Sequence, residues 1–196
     1  MSLASTMEGL QEVVNEEQAL MRRLAHRDRQ AMGEFYSRFS QPLFAYLVRL
    51  IGDPAVAEEL LQETMLLAWQ KASTFRGDSR PSTWLFGIAR NLARNAQRRS
   101  QPSTVSLEDE TSLAGSEGVA SPAGRRLDLV QALARLSPEH REVVQLVLVQ
   151  GFTYDEAAHI VGCPVGTVKS RLFYARRQLR GWLQACTEPG RSKGVP

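Results

Sequence analysis

The chain has 196 residues, of which 43% are hydrophobic and 23% charged, with a formal net charge of +3. That length admits one ordinary domain or two small ones, and the composition is that of a soluble globular protein. The small net charge does not by itself identify a polyanion partner, so the distribution of charge has to be read instead. Two cysteines, Cys163 and Cys186, are too few for a disulfide scaffold. His159 and Cys163 stand four apart, but two ligands do not make a metal site, and a turn cysteine beside a helix histidine is the simpler reading. The stretch MSLASTMEGLQEVVNEEQ lacks a basic segment followed by an apolar run, and no uncharged apolar stretch reaches membrane-spanning length. The expectation is a soluble cytoplasmic protein with no membrane insertion, no metal, no cofactor and no small-molecule substrate.

Apolar residues recur at helical spacing almost throughout and strand signals are nearly absent, which predicts an all-α protein. The first block covers residues 1–100. Leu20 and Leu24 predict one short amphipathic helix. Asp28 is placed to cap a second, which carries Met32, Phe35, Tyr36 and Phe39. Ser40 and Pro42 predict a break or restart before Leu43, Tyr46, Leu47 and Leu50. Gly52-Asp53-Pro54 reads as a stop, a cap and a first helical position, opening a helix that should run to about Phe75. Residues 76–81 read as a loop, and Ser82 as the cap of a helix reaching about Arg99.

Residues 101–126 change character. Ser, Gly, Thr and the acidic Glu108, Asp109, Glu110 and Glu117 dominate the stretch to Gly124, and aromatics are absent. Too little apolar surface is available there to offset the entropy of ordering, so a flexible acidic linker is expected. A second block, residues 127–186, opens with Leu127, Val130, Leu133 and Leu136 on one helix. Ser137-Pro138 starts another, which runs through Val143, Val144, Leu146 and Val147 to Gly151. Residues 187–196 read as a frayed tail.

The most specific local pattern lies in this second block. Thr153 with Glu156 three residues on has capping-box form. Gly162 closes the short helix, Cys163 sits in the turn, and Pro164 starts a second helix. Two helices joined by a tight glycine-containing turn form a helix-turn-helix. On the second of them Val168, Leu172, Ala175, Leu179 and Leu183 form an inward stripe. Gly166, Thr167, Lys169, Ser170 and Phe173 are left outward near its start, where a recognition helix meets base edges. Arg171, Arg176, Arg177 and Arg180 add charge for phosphates, and no acidic residue falls between Pro164 and Cys186.

A second constellation lies in the first block. The helix after Pro54 carries Glu58, Glu59, Gln62 and Glu63, which alone would be read as a solvated face near a helix N-terminus. The helix after Ser82 carries Trp84, Ile88 and Leu92 as an apolar stripe. Beside it run Arg90, Arg94 and Arg98, then Asn91 and Asn95. No acidic residue lies between Thr83 and Ser100, so pairing within the helix cannot neutralise these arginines. Arginines for phosphates and amides for bases suit a nucleic-acid surface. Phe75 and Trp84 bracket the loop, and core packing is the first expectation for both.

Taken in order, DPAVAEELLQETMLLAWQKASTFRGDS, TWLFGIARNLARNAQRR and GFTYDEAAHIVGCPVGTVKSRLFYARRQL resemble the extracytoplasmic-function (ECF) sigma factors of the sigma-70 family, in their two-domain form. The resemblance runs from about Glu16 to Leu183. It implies two small helical domains, region 2 and region 4, joined by the linker. Asp53, Glu58, Glu59, Gln62 and Glu63 would dock on the clamp coiled coil of core RNA polymerase. Phe75, Arg76 and Ser79, with Arg90, Asn91, Arg94, Asn95 and Arg98, would open and read the −10 element and capture an unpaired base. Gly166, Thr167, Lys169, Ser170, Arg171, Phe173, Tyr174 and Arg177 would read the −35 element, while the polymerase flap binds region 4 elsewhere. The linker would thread toward the active-site channel, and an anti-sigma factor would hold the protein inactive. Three positions depart from common family residues. Glu59 replaces Asp with the charge kept, Pro81 replaces Phe in the −10 loop, and Tyr174 replaces Arg.

An ordinary helix-turn-helix regulator, binding duplex DNA as a dimer without polymerase, is the alternative. It leaves the Arg/Asn stripe of the first block without a task. An enzyme finds little support, because His26, His140 and His159 are scattered and no nucleophile–base pairing is visible.

Overall fold

The computed structural model describes residues 3–100 and 131–187, with side chains at 12–99 and 131–182. Every regular element among them is helical. The expected linker, the start of the second block at Leu127 and Val130, and residues 188–196 lie outside the described residues. So do the side chains of Leu183 and Cys186.

Helix α1 spans Leu3–Ala25 and is far longer than the short helix expected around Leu20 and Leu24. It turns into α2, Arg29–Ile51, through Arg27, which holds a left-handed φ of 63°. Asp28 caps α2 as expected, its side chain accepting from the backbone N–H of Gln30 and Ala31. Arg27 reaches the far end of the third helix, donating to the carbonyls of Trp69 at 2.8 Å and Gln70 at 3.3 Å. A cation on the terminal carbonyls of a helix is favoured there by the helix dipole.

The break expected at Ser40 and Pro42 is absent, and α2 runs straight through Pro42. Proline deprives Arg38 of its usual backbone donor. However, Phe35, Phe39, Leu43, Tyr46 and Leu47 all bury along one continuous face, and that burial is worth roughly 1.5–3 kcal/mol per large side chain. The packing outweighs one lost hydrogen bond.

Gly52, at φ 86°, ends α2 by donating its N–H to the Val48 carbonyl. Asp53 then caps α3, Pro54–Lys71, with Pro54 in its first turn. This helix stops four residues short of Phe75, and a 3₁₀ turn over Ala72–Thr74 takes its place. Helix α4, Pro81–Ser100, begins at Pro81 rather than behind a capping Ser82. Pro81 suits a first helical position because its missing N–H would have no partner there. The cap is supplied from a distance. Buried Glu17 of α1 accepts from Ser82 N–H at 3.3 Å and from Ser82 Oγ at 2.8 Å.

In the second part residues 131–134 are helical, and Arg141 closes that turn by donating to the carbonyls of Leu133, Ala134 and Leu136. Ser137 caps α5, Pro138–Val144, as expected. The helix then widens into a π segment, Gln145–Val149. Thr153 and Glu156 form the complete capping box of α6, Tyr154–Val161, and Gly162 closes it at φ 65°. Helix α7 is Val165–Thr187.

Helices α1–α4 bury Leu24, Phe35, Leu43, Tyr46, Leu47, Leu61 and Leu85, while the second part buries Val143, Leu146, Ile160, Val168 and Leu172. The two parts are in contact: α4 packs against α6, and the Phe86 ring meets the Phe152 ring edge-on at 4.9 Å.

Candidate nucleic-acid interface

Helix α7 divides into faces as its sequence predicts. Val168, Leu172 and Ala175 are buried. Gly166, Lys169, Ser170 and Arg177 are exposed, and Thr167 and Arg171 are half-buried. Phe173 and Tyr174 are 63% and 52% exposed, with their rings 5.6 Å apart and edge-on. Two large aromatic side chains held out in water beside cations have no packing explanation within this part of the chain. Contact with thymine methyls and sugars would cover them, and the neighbouring arginines would meet phosphates. Lys169 Nζ lies 5.9 Å from the Tyr154 ring centroid, which ties the base of this face to α6. Cys163 sits half-buried in the turn and is in no disulfide.

The other candidate surface is built by α1, the loop over residues 75–80, and α4. A cavity of about 400 Å³ opens between Gln18, Met21, Arg22 and Ala25 of α1 and the Ala72–Gly77 segment, which contributes Phe75 and Arg76. Its size is within the range of small-molecule sites. Gly77 at φ 81° makes the turn that carries the loop around it. The Phe75 ring packs on Trp84 at 5.5 Å, so that wall is fixed from behind. Arg76 is exposed and Ser79 half-buried. The contribution of α1 could not be read locally, because Gln18 and Arg22 look like any polar face beside Leu20 and Leu24.

Along α4 the buried stripe is Leu85, Ala89 and Ala93, with Phe86 beside it. Trp84, Ile88 and Leu92, expected to form the apolar stripe, are half-buried at its edge. Small alanines at spacing four let neighbouring helices approach closely, which a hydropathy pattern led by Trp and Ile conceals. Asn91, Arg94, Asn95 and Arg98 are all exposed, and Arg94 and Arg98 line a cleft of about 600 Å³ against Asp53 and Pro138. Arg90 departs from its neighbours. It is 8% exposed, and its Nε donates to Glu142 Oε1 at 2.6 Å. An acidic partner for this stripe therefore exists, but it comes from α5, far along the chain.

The acidic residues of α3 lie in the open. Glu58, Glu59, Gln62 and Glu63 are exposed, and Gln62 Nε2 donates to Glu58 Oε1 at 3.4 Å. Asp53 is occupied as the helix cap. Among the described residues no cluster of three or more His, Cys, Asp and Glu side chains could hold a metal ion, and no helix is long and apolar enough to cross a membrane.

Comparison with known proteins covers both parts of the chain. The family model for sigma-70 region 2 matches residues 35–102, and that for sigma-70 region 4 matches residues 126–179. The ECF RNA polymerase sigma factor SigL of Mycobacterium tuberculosis is 37% identical over 157 residues, covering 78% of this chain and 89% of its own. The RNA polymerase sigma-H factor of Pseudomonas aeruginosa is 30% identical over 182 residues, covering 86% and 94%. Among solved structures, the sigma factor RpoE of Bartonella quintana, in complex with the anti-sigma factor NepR, superposes with a TM-score of 0.59 at 31% identity, covering 78% of this chain and 96% of that one. CnrH, solved with the cytosolic domain of CnrY, shares the fold, with a TM-score of 0.64 at 24% identity over 86% and 97%. With matches to both regions in order, and relatives aligned over most of their length, the chain belongs to the ECF sigma factors of the sigma-70 family.

Proposed function

We propose that the chain is an alternative sigma factor that binds core RNA polymerase, directs it to promoters carrying −10 and −35 elements, and assists melting. The observation that supports this most is the presence of two separate exposed basic reading surfaces on one chain. One is the α7 face led by Lys169, Ser170, Phe173 and Tyr174. The other is the α4 face with Asn91, Arg94, Asn95 and Arg98, on the same part of the chain as the cavity at Phe75 and Arg76. A regulator that only reads duplex DNA needs the first and has no use for the second.

The roles divide by chemistry. Helix α7 enters the major groove, and Arg171 and Arg177 hold phosphates beside it. The α4 amides and the cavity take an unpaired base of the opened strand, whose unstacking costs a few kcal/mol, and aromatic and cationic contacts offset that. Glu58, Glu59, Gln62 and Glu63 form the surface for the polymerase clamp, and region 4 takes the flap. The protein performs no chemistry of its own and acts in the cytoplasm. As with the RpoE relative in complex with NepR, an anti-sigma factor is the expected regulator.

The test is association with bacterial core polymerase by size-exclusion chromatography. Wild type is expected to co-elute, and the double reversal Glu59→Lys/Glu63→Lys to lose at least about ten-fold in affinity, as for opposed charges at a docking surface. Tight binding of duplex DNA by the chain alone, with no polymerase association, would replace the proposal by the ordinary regulator.

A further inference from the structure

The cavity on the first part of the chain has one wall that no sequence motif marks. Gln18, Met21, Arg22 and Ala25 line it from α1, at spacings of three and four that put them on one helix face. The other wall is the 72–77 segment, with Phe75 and Arg76. These four α1 residues lie ahead of residues 35–102, the stretch that matches sigma-70 region 2. That match therefore assigns them no role.

The α1 wall is fixed in place at both ends. Glu17, next to Gln18, accepts from Arg80 Nη2 at 2.9 Å and from Ser82 Oγ at 2.8 Å. Just past the end of α1, Arg27 donates to the Trp69 carbonyl at 2.8 Å, and its guanidinium lies 5.4 Å from the Trp69 ring centroid. The Phe75 ring is backed by Trp84 at 5.5 Å. Side chains presented from elements tied down in this way form a site before any ligand arrives. Ala25, Ala72 and Gly77 leave the space open, because none has a side chain long enough to fill it.

The lining carries two cations, Arg22 and Arg76, and no acid. Nearby arginines are paired: Arg23 with Asp28 and Glu34, Arg38 with Glu16, and Arg80 with Glu17. Arg22 and Arg76 are exposed and have no hydrogen-bond or ion-pair partner among the described residues. A guanidinium donates and cannot accept, so an unpaired one at a cavity suits a phosphate. Gln18 is half-buried and equally without a partner among the described residues. Its carboxamide offers a donor and an acceptor side by side, which suits bidentate bonding to a base edge. Phe75 adds a ring on which a base can stack. Cation, amide and ring around a space of about 400 Å³ complement one unstacked nucleotide.

We infer that Gln18 and Arg22 make α1 a further reading element for the opened strand, in addition to the 75–80 loop and α4. Gln18 hydrogen-bonds the edge of an unpaired base in the cavity and sets the preference at one position of the −10 element. Arg22 holds a phosphate of the same strand and contributes alike to every sequence. The inference rests on the sigma-factor reading, because the chain meets an opened strand only in the polymerase complex.

The test uses holoenzyme assembled from the full chain and bacterial core polymerase. The templates are bubbles built on a promoter that the wild type selects, with the single-stranded −10 segment randomised. Gln18→Ala is expected to flatten the base preference at one position by about ten-fold, the scale of a lost bidentate contact. Arg22→Ala is expected to weaken binding of every sequence alike. It should also lower the slope of log affinity against log salt by about 0.7, the value for one phosphate on a single strand. Arg22→Lys keeps the charge and should restore the slope. Neither side chain has a partner to lose among the described residues, so Gln18→Ala and Arg22→Ala are both expected to keep the wild-type thermal midpoint. An unchanged base profile for Gln18→Ala, or an unchanged salt slope for Arg22→Ala, would overturn the inference, while promoter selection by the wild type would leave the sigma-factor reading standing. A wild-type chain that selects no promoter with core polymerase would overturn both.

Discussion

Glu17 is the residue on which the start of α4 depends, and its removal has a predictable size. The side chain is 4% exposed. Oε1 accepts from Arg80 Nη2 at 2.9 Å, and Oε2 accepts from the N–H and hydroxyl of Ser82. Glu17→Ala therefore removes two things together. The first is an N-terminal cap, worth about 1 kcal/mol. The second is the partner of Arg80. Breaking a fully buried pair would cost about 3–5 kcal/mol, but the Arg80 side chain is 26% exposed and keeps Glu156 at 3.6 Å. Hydrogen bonds to a charged group in such a setting are worth about 1.5–3 kcal/mol, so the lower end applies. The total is about 2–3 kcal/mol. Glu17→Gln keeps an acceptor and the shape, and should lose about 1 kcal/mol. Urea denaturation followed by helical circular dichroism reads both. With a slope of about 1–3 kcal/mol per molar, the alanine variant should unfold roughly 0.7–3 M earlier than wild type. An alanine variant within about 0.5 kcal/mol of wild type, or a glutamine variant as unstable as alanine, would refute the idea that one carboxylate of α1 organises the loop and α4.

Phe173→Ala should leave the thermal midpoint nearly unchanged, because the ring is 63% exposed, yet weaken binding to −35 duplex in the polymerase complex by about 1–3 kcal/mol, measured by fluorescence anisotropy. Asn91→Ala should reduce permanganate-detected melting more than gel-shift binding of the closed complex, and equal losses in both would remove Asn91 from the strand-reading role. Thr153→Ala breaks the capping box and should lower stability by about 1 kcal/mol, read by calorimetry. The Asp28 carboxyl is held below the usual range by the Ala31 N–H first, then by the Arg23 guanidinium, with the Gln30 N–H also contributing. A depressed folded value means that this stabilisation is present above the unfolded value near ~3.9 and lost as pH falls through the lower folded value. The wild-type midpoint should therefore drop more steeply with acid than that of Asp28→Asn, and parallel curves would contradict the assignment.

Local chemistry was legible in the sequence wherever a helix begins or ends on its own residues. Asp28, Asp53-Pro54, Ser137-Pro138, Thr153 with Glu156, and Gly162 all act where the sequence places them, because caps and left-handed turns are settled within four residues. The exposed face of α7 was legible for the same reason, since its inward stripe is dictated by periodicity. Pro42 was misleading because a local rule was outweighed by burial along the whole of α2. The start of α4 is not legible locally because its cap is Glu17, separated from Ser82 by 65 positions. Spacing alone groups Arg90 with Arg94 and Arg98, but each step of four turns the side chain by about 40° around the helix, and only the fold reveals that Arg90 is the one buried against Glu142. The π segment at Gln145–Val149 carries no sequence signal; it aligns Gln145 and Gln150 with carbonyls of α2, a demand made by the partner helix.

Run-off transcription tests the central claim most directly. Purified chain is added to bacterial core polymerase on a library of genomic promoter fragments, with core polymerase alone as the control. The account predicts discrete start sites that appear only with the chain, whose upstream sequences share two elements near −10 and −35. Transcripts no different from those of core polymerase alone, together with tight binding of duplex DNA by the chain by itself, would contradict it.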